Sequence, residues 1–127
     1  MAQGTAYVVR GAKIKCDKGT HIRKINLPTS HGSYSNGNPI MNESDNVVGE
    51  NISDFGICKG GCPSSGNITL KKQKGGTVTG KKCLVMILKE WMKTQGDTLV
   101  DGTPALTTDS ILICAYGGTI KFISDGQ

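Results

Sequence analysis

Glycine occupies 18 of the 127 positions and recurs along the whole chain. That is about twice the ~7 % share of an average protein. Each glycine inside a regular element costs about 0.5–1 kcal/mol relative to alanine, so a chain built this way turns often and keeps its elements short. The residues left to make a core are aliphatic. Leu, Ile, Val and Phe number 28, of which 12 are Ile and 7 are Val, the β-branched types that suit strands. Aromatic residues make up 5 %, so the expected interior is thin and too slim for rings. Scattered glycine excludes a coiled coil. No run of ~18 apolar residues is present to span a membrane as a helix, and a large aromatic ligand pocket is not expected. The length fits a single domain over residues 1–127.

The first residues lack a charged segment followed by an apolar one, so the expectation is synthesis in a reducing cytoplasm without a signal peptide. Structural disulfides are uncommon in that reducing compartment. The five cysteines therefore read as metal ligands or as buried small apolar residues. Cys58 and Cys62 form one close pair, but no second Cys-x-x-Cys knuckle follows, which disfavours a zinc ribbon. A dispersed site remains, with Cys16, Cys58, Cys83 and Cys114 as the preferred ligands of one zinc ion. Cys62, His31 and His21 are the alternates. The polar neighbours of both histidines predict surface positions.

The net charge of +5 raises the question of nucleic acid. Residues 1–24 carry six basic side chains against Asp17, and residues 71–93 carry seven against Glu90. Residues 39–56 hold Glu43, Asp45, Glu50 and Asp54 with no basic residue. Few aromatics lie among the lysines, so a platform for stacking bases is missing. The lysines read as solvated, and nucleic acid is not expected as a partner. A small zinc-dependent nucleic-acid-binding module is the alternative function. No local Cys, His and Asp or Asn signature marks a nucleophile, so an enzyme is not expected.

Alternation predicts strands over residues 7–15 and 20–27, with a loop or tight hairpin over 29–38. Residues 51–58 form a short segment, and 59–82, including a lysine-rich loop over 71–82, read as the most loop-like region. Residues 83–94 fit either a helix or a buried strand, and neighbouring strands favour the strand. Residues 98–102 end a strand in a turn. Residues 110–116 form an apolar strand, Gly117-Gly118 signals a hairpin, and 119–124 alternate as a strand.

Two echoes run through the chain. Gly11 to Ile22 and Asp109 to Ile120 both read strand, cysteine, two residues, glycine, then a strand entering at Ile. Gly37-Asn-Pro39-Ile-Met41 and Gly102-Thr-Pro104-Ala-Leu106 both read Gly-x-Pro, then two apolar residues, with Glu43 and Asp109 shortly after. These predict similar hairpins around a pseudo-axis, with Cys16 and Cys114 in equivalent places. A metal held where hairpins converge would offset a thin core.

Tyr7-Val-Val-Arg-Gly-Ala-Lys-Ile-Lys-Cys16, Asn51-Ile-Ser-Asp-Phe-Gly-Ile-Cys58, the run Pro104 to Ile120 and Asp125-Gly-Gln127 together resemble the PAAR-like proteins, long catalogued as a domain of unknown function. The resemblance covers nearly the whole chain in order. It implies an all-β, small cone-shaped fold of short hairpins in pseudo-threefold arrangement, with a metal, usually zinc, stabilising the apex. It also implies a spike tip that caps the trimeric spike, of VgrG or phage-hub type, of a contractile injection system. Such systems include type VI secretion and extracellular phage-tail-like particles. One tip would sit on each trimer and help pierce the target envelope. The target membrane would be touched transiently, effector cargo would be a further partner, and the assembled particle would be delivered outside the cell. Pro104-Ala-Leu-Thr107 stands where the family has Pro-Ala-Ala-Arg, and its histidine ligands are not plainly matched, which leaves the metal to the cysteines.

Overall fold

The computed structural model describes residues 6–61, 63 and 66–127. It is all-β, with no helix among the described residues. Eleven short strands follow in order: β1 (Lys13–Cys16), β2 (Arg23–Lys24), β3 (Tyr34–Ser35), β4 (Asn38–Pro39), β5 (Ile57–Cys58), β6 (Ile68–Lys71), β7 (Thr77–Lys82), β8 (Gln95–Val100), β9 (Thr103–Ala105), β10 (Ile111–Cys114) and β11 (Gly118–Phe122). They form a four-stranded sheet in the order β10-β11-β1-β2, a three-stranded sheet β5-β7-β6, and the hairpins β3-β4 and β8-β9.

The central four-stranded sheet joins distant parts of the sequence. Ile14, Lys15 and Cys16 stand opposite Phe122, Lys121 and Ile120, and Leu112 and Cys114 stand opposite Ile120 and Gly118. Side chains alternate along a strand, so Ile14, Leu112, Ile120 and Phe122 share one face. All four are buried there with Val8, Ile25, Met41, Ile52 and Phe55. Lys13, Lys15, Ile113 and Lys121 take the other face and are exposed.

The interior is not purely aliphatic. Trp91 is buried and stacks on Phe122 at 4.7 Å between ring centroids. Its indole N–H donates to the carbonyl of Asp45 at 3.0 Å. Phe55 is fully buried. Three of the six aromatics thus anchor the core, each contributing a large buried area.

The Gly-x-Pro echo is structural. In β3-β4, Asn36 (φ 51°) and Gly37 (φ 79°) make the turn; in β8-β9, Asp101 (φ 53°) and Gly102 (φ 77°) do the same. Two successive positive φ values make a type I′ turn, which matches the twist of a two-residue hairpin. Pro39 faces Tyr34 and Pro104 faces Leu99 in equivalent registers. The hairpins then meet the body alike: Ile40 bridges Val9, and Ala105 bridges Asn42.

Two expectations change. The stretch read as most loop-like contains the hairpin β6-β7, and the lysine-rich loop 71–82 supplies its turn and second strand. Thr77, Val78 and Thr79 favour extended chain, Gly75 and Gly76 (φ 98° and 77°) turn it, and Thr69 and Thr79 share a hydroxyl hydrogen bond across it at 2.8 Å. Residues 83–94 are neither helix nor regular strand. They run extended along β10 with bridges at Ile87–Cys114 and Met92–Ile111.

Candidate functional site

Four of the predicted ligands come together. Cys16, Cys58, Cys83 and Cys114 are all buried, and none is in a disulfide. They line one internal space of about 10 Å³, walled by Phe55, Leu84, Tyr116 and Ile120, roughly enough for a single water or ion.

The strands explain the convergence. Cys16 and Cys114 end β1 and β10, the two neighbours of β11. Each closes a turn through its carbonyl, which accepts from Gly19 N–H after Cys16 and from Gly117 N–H after Cys114, both at 3.0 Å. Gly118 sits opposite Cys114, and a side chain there would collide with the Cys16 sulfur. The glycine is therefore what lets the sulfur enter. Cys58 ends β5 and bridges Gly19. Cys83 follows β7 directly, its N–H donating to the carbonyl of Gly56 at 2.8 Å, so β5-β7 pairing sets the second pair of thiols beside the first.

The sulfurs have polar neighbours. The Cys16 thiol donates to the Asp17 carboxylate at 3.9 Å, and Cys114 donates to the Leu84 carbonyl at 3.9 Å. Gly60 N–H donates to the Cys58 sulfur at 3.4 Å. Burial pushes the Cys16 thiol above its ordinary 9.0. Asp17 and Cys114 add to the rise, while backbone donors at Lys18 and Gly19 oppose it. In the metal-free protein this thiol is protonated at neutral pH.

By donor chemistry, four buried cysteines suit a thiophilic ion such as zinc. Among the described residues, however, no three His, Cys, Asp or Glu side chains are arranged to hold a metal ion. The four thiols thus share one small space without standing in a coordinating arrangement.

The alternates lie elsewhere. Cys62 is outside the described residues. His21 is buried, against the surface position expected of it. Its Nδ1 pairs with the neighbouring Thr20 hydroxyl at 2.8 Å and its Nε2 with the Lys71 carbonyl at 2.7 Å, so Nε2 ties the end of β6 to the body while Thr20 orients the ring. His31 Nε2 lies 2.9 Å from the carboxylate of Asp45, which is buried and also accepts from Asn42 N–H at 2.8 Å. Neither histidine lines the cysteine space. Sequence reading missed the Asp45 junction, which joins His31, Asn42 and Trp91, because its partners come from three separate segments. The signal available for the thiols was the repeated Cys-x-x-Gly.

Residues 8–127 match the family described as Domain of unknown function (DUF4280). No curated protein and no solved structure matches the chain.

Proposed function

Because the chain belongs to the DUF4280 family, whose description names no activity, we propose its function from its own residues and their likeness to PAAR-like tips. It is a structural spike-tip protein. It caps the trimeric spike of a contractile injection system, one copy per trimer, and leads the particle through a target envelope. It is made in the cytoplasm, assembled into the particle and carried outside with it, with effector cargo as a further partner. The observation that supports this reading most is the equivalence of the repeated hairpins, with two Gly-x-Pro turns of the same type in equivalent registers. Internal repetition lets one chain present similar surfaces to a symmetric partner.

In this reading Cys16, Cys58, Cys83 and Cys114 hold one zinc ion. The ion would cross-link the ends of β1, β5 and β10 to the segment after β7 and so add to their stability.

Mixing the purified protein with a trimeric spike should give a complex of one tip per three spike chains by light scattering. Failure to bind any such trimer overturns the reading. The metal has its own test. Elemental analysis of protein purified without chelator should give close to one zinc per chain. Cys16→Ser or Cys114→Ser should lower metal content and thermal stability together. Clearly substoichiometric zinc in the wild type removes the ion from the proposal and leaves four packed thiols.

A further inference from the structure

Charge is unevenly divided along this chain. From Phe55 to Lys89 there are seven lysines and no Asp or Glu, whereas the remainder holds eight basic and ten acidic side chains. The whole positive excess therefore belongs to the segment that carries β5, β6 and β7.

That segment borders an open cleft of about 560 Å³, between the turn at residues 19–22 and the tip of β6-β7. Lys59, Lys72 and Lys74 line it, and Ile22 and Val78 contribute its apolar walls. Its two sides are fixed to each other. Gln73 pairs with both backbone groups of Ile22, accepting from its N–H at 2.8 Å and donating to its carbonyl at 2.9 Å. His21 holds the Lys71 carbonyl one step away at 2.7 Å. Ion pairs among the described residues join Arg23 to Asp54 and His31 to Asp45 and Asp101. None of them engages the three lysines of the cleft.

We propose that this cleft is a docking site for an acidic polypeptide segment, whose carboxylates pair with Lys59, Lys72 and Lys74 and whose aliphatic side chains pack on Ile22 and Val78. Three like charges around one concavity raise the local concentration of anions and lower that of cations. Among the described residues no aromatic ring lines the cleft, so the bases of a nucleic acid would find no stacking surface there. The aliphatic walls match a protein chain instead. The proposal is independent of the spike-tip reading and of the cysteine centre.

The test uses a fluorescein-labelled peptide alternating glutamate and valine, followed by anisotropy at about 150 mM salt, where exposed charges more than ~8 Å apart are largely screened. Lys72→Glu with Lys74→Glu should weaken binding by about tenfold or more. Lys72→Gln with Lys74→Gln should weaken it less, in the same direction. Lys13→Glu with Lys121→Glu, the same change of net charge on the exposed face of the central sheet, should change affinity by less than about threefold. Near-UV circular dichroism checks that all variants keep their tertiary fold. Equal losses in the cleft and sheet variants overturn the proposal, because attraction would then follow net charge alone. So does an absence of peptide binding at this salt, or binding of oligothymidylate at least as tight as that of the peptide.

Discussion

The central sheet and the lysine-bearing sheet are both antiparallel, yet they are stabilised in different ways. In β1, β10 and β11 every second residue is buried, and Trp91 and Phe122 stack behind them. In β6 and β7 no residue is buried; Leu70, Val78 and Gly80 are half-covered and the rest are exposed. The first sheet is maintained by burial, at roughly 25 cal/mol per Å² of apolar surface. The second is attached by a few polar contacts, from His21, Gln73 and the β5-β7 ladder. Contacts of that kind contribute about 0.5–1.5 kcal/mol each. Pairing alone is enough to make a strand, but not enough to make it stable, so the two sheets should respond differently to the same perturbation.

The largest expected effect is on the central sheet. Trp91→Ala removes the buried ring, its stack and its bond to Asp45, and should cost about 3–5 kcal/mol in denaturant unfolding. A loss under ~1 kcal/mol would mean the core does not depend on this anchor. Next, His21→Ala should cost about 1–3 kcal/mol by emptying a buried, twice-bonded position. Hydrogen exchange should quicken first in β6 and β7. Uniform acceleration across both sheets would erase the distinction between them.

The third prediction concerns pH. Burial raises the Cys16 thiol above its ordinary 9.0. In metal-free protein its contribution is therefore complete below about pH 9 and lost as pH climbs through the folded value. Wild type should lose stability above pH 9 faster than Cys16→Ala, and parallel curves would contradict this. The smallest effect is Thr79→Ala, which removes the cross-strand hydroxyl bond to Thr69 on an exposed surface. It should cost about 0.2–1 kcal/mol and leave the central sheet's exchange unchanged.

The same contrast explains what could be read from the sequence. β1 and β11 were legible because one buried face forces alternation, and β10 because a short apolar run ends at the Gly117-Gly118 turn. The Gly-x-Pro echo was legible because a type I′ turn demands residues that tolerate positive φ. The equivalent placing of Cys16 and Cys114 could be anticipated from strand ends that repeat, whereas Cys58 and Cys83 lie outside that echo. The hairpin β6-β7 was hidden because strands exposed on both faces need no alternation, and its lysines and glycines resemble a loop. Residues 83–94 were ambiguous for a related reason. Cys83 and Trp91 are buried while Leu84, Met86 and Leu88 are exposed, so hydrophobicity there does not report direction. His21 was misjudged because its partners, Thr20 and the Lys71 carbonyl, are polar; a histidine can be buried among them without penalty.

The pairing of β1 with β11 also bears on when this protein becomes a protein. Cys16 and Ile120 are neighbours across that ladder, though a hundred residues of synthesis lie between them. During translation β1 must wait, with β2 as its one available partner, until Phe122 has emerged from the ribosome. Closing such a distant contact is slow compared with zipping a local hairpin. β3-β4 and β8-β9 can form as they appear, whereas the core stays unsealed to the end. For most of its biosynthesis the chain is a string of hairpins with exposed aliphatic faces, the state in which a nascent polypeptide most needs a chaperone.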